Sequence, residues 1–194
     1  MAEGGKDNTD ELLIAGILAA VLIGGMLGGG RGQEQTTVSA ADDAQAWVEY
    51  WDHQCTVQGV VSGDMLLCND STVVRLIGID APEAGYGEIG ATSARALLEM
   101  AGPGAVVRLE LDQKAEDDRG RIHAYVLDGD RRLINERMLA EGYAVAVKQP
   151  PNLARQEQLE LAAQRAREGR RGLWGNAMFR CFASGKSSSE CKGR

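Results

Sequence analysis

Short apolar runs fill the middle of the chain, and their period changes several times between residues 54 and 176. Thr56–Val61, Met65–Cys68, Thr72–Ile79, Ala105–Leu111 and Arg121–Leu127 are brief, rich in β-branched residues and bounded by Gly, Asp or Asn. Each is predicted to be a strand. Ala91–Ala101, Leu133–Glu141 and Asn152–Glu168 are predicted to be helices, the second stopped by Gly142 at its C-terminus. Three strands, a helix, two strands and two more helices describe an α+β domain. The expected architecture is a five-stranded Greek-key β-barrel of the OB-fold type carrying three helices.

The pattern before this domain is different. Leu12 to Gly30 is a run of 19 residues without a charge, apolar all round and close to the roughly 20 residues needed to span a bilayer. The residues ahead of it hold Glu3, Asp7, Asp10 and Glu11 against Lys6, the wrong charge for the start of a secretory signal. An uncleaved single transmembrane helix is therefore expected. Secretion after cleavage near Val38-Ser39-Ala40 is the alternative. Lys6 and Arg31 leave too little for the positive-inside rule to set orientation. The chain thus divides into an N-terminal tail (1–11), a membrane segment (12–30), a linker (31–53), the barrel domain (54–176) and a C-terminal tail (177–194).

Composition then limits the chemistry. The net charge is −7, and residues 54–176 hold 15 Lys/Arg against 18 Asp/Glu, so weak ground-state binding to nucleic acid is expected, with steep salt sensitivity only near the site. Arg165, Arg167, Arg170 and Arg171 form a basic stripe that reads as a solvated helix end. The four cysteines lack zinc-type spacing. Cys55 and Cys68 fall on neighbouring predicted strands and are expected to bridge in an oxidising compartment, while Cys181 and Cys191 bracket a Ser-rich stretch. His123, one of two histidines, is expected to pack beside its strand rather than to act as a base.

Five charges stand out against the apolar runs: Asp64, Arg75, Asp80, Glu83 and Arg121. Carboxylates hold a hard cation through oxygen, and guanidinium forks bind phosphate oxygens in pairs. Together they are the components of phosphoryl transfer without a covalent intermediate. The residues alone leave a second reading open. Arg75 sits in a mostly buried strand, where a charge is normally paired, and Asp64 or Asp80 would serve as that structural partner.

Four segments carry a family resemblance: Val60-Val-Ser-Gly-Asp64, Arg75-Leu-Ile-Gly-Ile-Asp-Ala-Pro-Glu83, Asp118-Arg-Gly-Arg-Ile-His-Ala-Tyr-Val126 and Ile134-Asn-Glu-Arg-Met-Leu-Ala-Glu-Gly-Tyr-Ala144. In this order they resemble the staphylococcal nuclease (thermonuclease) family, from about Thr56 to Trp174. The resemblance implies a calcium-dependent nuclease cutting DNA and RNA with little sequence preference. Asp64, Asp80 and the backbone carbonyl of Ala81 resemble the calcium ligands. Glu83 resembles the carboxylate that orients or deprotonates the attacking water, and Arg75 and Arg121 the pair that binds the scissile phosphate.

Three positions depart from the family pattern. Ser62 stands where an aspartate is usual, Met65 where a threonine is usual, and Arg119 where a nucleotide-stacking tyrosine is frequent. Arg119 and Tyr143 are the candidate substrate contacts. The expected protein is a monomer, attached to a membrane with its nuclease domain outside the cytoplasm. A non-catalytic OB-fold module that binds nucleic acid or protein is the alternative.

Overall fold

A computed structural model of the chain describes residues 53–192. The membrane segment expected at 12–30 and the linker up to residue 52 lie outside the described residues. Among the described residues no helix is long and apolar enough to cross a membrane.

Five strands close the barrel in the order β1 (Gln54–Ser62), β2 (Met65–Cys68), β3 (Val73–Leu76), β6 (Ile122–Leu127) and β5 (Val106–Glu110). The pairs are antiparallel except β3 with β6, which run parallel with Val74 opposite Ile122. Alternation sets the two faces. Leu66, Cys68, Val74 and Leu76 fill the interior, while Met65 and Arg75 lie opposite each other on the outer face of β2 and β3. The disulfide Cys55–Cys68 ties β1 to the end of β2, with Cα atoms 5.5 Å apart, as expected.

The predicted strand Thr72–Ile79 is two strands. Gly78 takes a φ of +77°, a conformation open to glycine, and the side chain of Leu159 fills the space a Cβ would need. The chain turns there, and Ile79–Asp80 (β4) leaves the barrel to pair with β7 (Val145–Ala146). The buried Asn135 locks this turn. Its Nδ2 donates to the Ile77 carbonyl at 2.8 Å, and its Oδ1 accepts from the Val126 amide at 2.8 Å.

Helices α1 (Glu88–Met100), α2 (Ile134–Ala140) and α3 (Gln156–Glu168) cover the barrel. The third starts four residues later than predicted, because the Asn152 side chain bonds both the amide and the carbonyl of Lys114. These bonds fasten Asn152 to a segment 38 residues earlier in the chain.

Residues beyond 176, set apart above as a tail, form α4 (Ala177–Phe182) and α5 (Ser188–Lys192), joined by the disulfide Cys181–Cys191. Phe179 and Phe182 join Ile89, Ala166, Leu173 and Trp174 in a second apolar cluster. The hairpin also grips the turn Ala84–Tyr86. Tyr86 donates its hydroxyl to the Lys186 carbonyl at 2.6 Å, and Lys192 donates to the Gly85 carbonyl at 2.9 Å. Replacing both Cys181 and Cys191 by Ser removes a closed loop worth about 2–4 kcal/mol to the hairpin. Amide exchange at Tyr86 and Gly87 should then accelerate while β2, β3 and β6 keep their protection. Unchanged exchange at those two amides would contradict this grip.

Candidate active site

The turn between β1 and β2 delivers Asp64 to the barrel's outer rim, where it is 1% exposed. A buried carboxylate needs donors on both oxygens. Ser62 donates its hydroxyl to Oδ1 at 2.6 Å. Oδ2 receives the Ala81 amide at 3.1 Å and the guanidinium of Arg75. The other terminal nitrogen of Arg75 reaches Asp80 Oδ1 at 3.1 Å, so one fork joins two carboxylates. Asp80 remains 41% exposed at the side chain against 2% for Asp64. The site therefore has a buried floor and an open mouth.

The break at Gly78 is what makes this convergence possible. A continuous strand would alternate Asp80 away from Asp64. The turn into β4 instead brings the side chain of Asp80 and the amide of Ala81 over the same guanidinium.

Glu83 lies one turn further along and is exposed, with no side-chain partner among the described residues. Its backbone is fixed all the same. The Glu83 carbonyl accepts the Tyr86 amide at 2.9 Å, and Gly90 packs so closely on it that a Cβ would collide. A shallow groove of about 160 Å³ runs past Pro82 and Ala84 toward α1.

Arg121 is near the cluster without joining it. Its Nε and one terminal nitrogen both meet Asp117 Oδ2 at 2.7 Å, and the other terminal nitrogen lies 3.5 Å from Met65 Sδ. Met65 is the cross-strand partner of Arg75, so Arg121 approaches from the β6 side. The Arg121 guanidinium holds the Asp117 carboxyl well below the usual carboxylate range. Sequence reasoning missed Asp117, although Asp117-x-x-x-Arg121 is an i, i+4 pair in a Gly-containing turn. His123, the cross-strand partner of Arg75 on β6, has Nε2 3.5 Å from the same carboxylate and otherwise buried without a hydrogen bond.

The two candidate substrate contacts differ. Arg119 is exposed and its side chain is free among the described residues, ready to meet a ligand. Tyr143 is half-buried between the two apolar clusters, and its ring serves packing.

A sequence profile of the staphylococcal nuclease homologue family matches residues 73–176. The chain belongs to this family. Membership is echoed by two curated relatives, both called thermonuclease. The Staphylococcus hyicus protein is 30% identical over 128 residues, covering 60% of this chain and 73% of its own length. That of Staphylococcus intermedius is 31% identical over 129 residues, covering 61% and 74%.

In this family member the donors suit a hard cation. Asp64 and Asp80 offer carboxylate oxygens, the donors a hard cation prefers. No three His, Cys, Asp or Glu side chains cluster as a ready cage among the described residues, so water and phosphate oxygens would complete the coordination.

Ser62, where the family pattern has an aspartate, now has a role: it satisfies Asp64. Ser62→Ala leaves that buried oxygen short of a donor and should destabilise the fold by about 1–3 kcal/mol, read from urea midpoints. A change below a few tenths would show the bond to be dispensable.

Proposed function

We propose that the chain is a calcium-dependent nuclease that hydrolyses phosphodiester bonds of DNA and RNA with little sequence preference. The observation that carries this reading is the convergence of Asp64, Asp80 and Arg75 at an open mouth, in a member of the staphylococcal nuclease homologue family. The names of its relatives point the same way. The alternative, a binding module without catalysis, requires loss of the charged set, and all five residues are in place.

Asp64, Asp80 and the Ala81 carbonyl would hold calcium, which supplies Lewis-acid polarisation of a phosphate oxygen. Arg75 then exchanges the exposed Asp80 carboxylate for the scissile phosphate while keeping the buried Asp64. Glu83, exposed and unpaired, orients a water for in-line attack and accepts its proton. Arg121 meets the negative charge that develops on phosphorus, using the terminal nitrogen that faces Met65 rather than Asp117. Asp117 acts as its positioning residue. Arg119 contacts the substrate backbone beside it.

Arg121→Ala should lower turnover at least about 100-fold with the fold intact. Glu83→Gln should lower turnover while leaving calcium binding in place. Cleavage of plasmid and RNA should stop in excess chelator, and wild-type cutting that persists there would overturn the mechanism.

The proposal extends to location. The uncharged run 12–30 tethers a monomeric enzyme to a membrane, with the domain outside the cytoplasm. The two disulfides suit an oxidising compartment. The chain should stay in the membrane pellet through carbonate extraction. A mature protein beginning at Ala41 would establish secretion instead.

A further inference from the structure

The family's pattern offers aromatic platforms for bases, and this chain has Arg119 at one such place and a packed Tyr143. An acidic domain without those platforms needs another hold on a polyanion. The C-terminal hairpin supplies one.

Arg167 and Arg170 at the end of α3 meet Arg180 of α4 around a cavity of about 580 Å³, with Trp174 and Ser184 completing the wall. No acidic residue lines it. Unlike Arg75, Arg121 and Arg155, none of the three has a carboxylate within ion-pair distance among the described residues. Two of them are nevertheless held in place, and by neutral groups. Arg167 lies over the Trp174 ring at 5.7 Å, a cation–π contact that leaves its charge uncompensated. One terminal nitrogen of Arg180 donates to the carbonyls of Trp174 at 3.1 Å and Gly175 at 2.9 Å, which leaves the rest of its fork unused. Arg180 is also next to Cys181, so the disulfide fixes the backbone that carries it.

Three uncompensated guanidiniums on one wall repel each other, and an anion relieves that repulsion. Forks held in position by neutral groups suit phosphate oxygens, since little side-chain freedom remains to be lost on binding. Two residues of the stripe read from sequence as a solvated helix end, Arg167 and Arg170, line one half of a cavity. Its other half, Arg180 and Ser184, lies beyond residue 176, where the family match ends.

We propose that this cavity is a phosphate-binding subsite for the backbone of a nucleic-acid strand, separate from the Asp64–Asp80 cluster. The proposal rests on the nuclease reading for its choice of ligand, and it accounts for strand binding without base stacking. Contacts to phosphate carry no sequence information, in keeping with unselective binding.

The test is equilibrium binding of a fluorescent single-stranded oligonucleotide to the full-length chain in EDTA, where cleavage is absent, across about 50–200 mM salt. Arg167→Gln with Arg170→Gln should weaken binding about tenfold. It should also lower the slope of log K against log salt by about 1.4, or 0.7 per lost phosphate contact on a single strand. Arg108→Gln with Arg131→Gln removes the same charge elsewhere and should leave the slope unchanged. Equal slopes for wild type and the Arg167/Arg170 variant, or an equal loss in the control, would overturn the proposal. Inorganic phosphate that protects the cavity without competing with the strand would overturn its assignment to nucleic acid. A chain that shows the slope change yet leaves the strand uncut in calcium would uphold the subsite and fail the nuclease reading.

Discussion

The buried carboxylate of Asp64 organises this end of the barrel. Its oxygens fasten three separate stretches: β1 through Ser62, β3 through Arg75, and the start of the loop after β4 through the Ala81 amide. The Asp64 carbonyl adds a fourth tie by accepting the Leu76 amide at 2.9 Å. An unpaired charge at 1% exposure is costly, so these partners must arrive together. Removing one member of such a pair typically costs about 3–5 kcal/mol. The same requirement that stabilises the fold therefore places Arg75 and Asp80 at a shared point on the surface.

That coupling bears on the two readings left open by the sequence. Arg75 does have the structural partner expected of a charge in a buried strand, and both Asp64 and Asp80 fill the role. The structural and functional readings are compatible here. A guanidinium shared between a buried and an exposed carboxylate has one partner that can be exchanged, because Asp80 meets solvent.

Much of this was legible because strand alternation and glycine punctuation are local signals. The five barrel strands, the three covering helices and the Cys55–Cys68 bridge follow from them. What escaped depends on contacts between distant segments. The division of Thr72–Ile79 needed the packing of Leu159 on Gly78 and the tie from Asn135 to Ile77. The clasp of Arg121 by Asp117 depends on how the turn before β6 closes. The hairpin after residue 176 is short, polar and rich in serine; Phe179 and Phe182 seat it on the domain, its disulfide closes it, and bonds to Tyr86 and Gly85 fasten it. Through it the chain acquires both a grip on the loop after Glu83 and an acid-free arginine cavity.

In the proposed calcium site Asp64 and Asp80, bridged here by Arg75, form the floor and the mouth. Calorimetric titration of the full-length chain with calcium, beside an Asp80→Asn variant, tests it most directly. Asp80 is exposed enough for that variant to fold, and its thermal unfolding should confirm this. One calcium per wild-type chain is expected, with a loss of affinity of at least about tenfold in Asp80→Asn, since calcium affinity follows the number of charged ligands. Equal calcium binding by a folded Asp80→Asn variant, or none by the wild type, would contradict it.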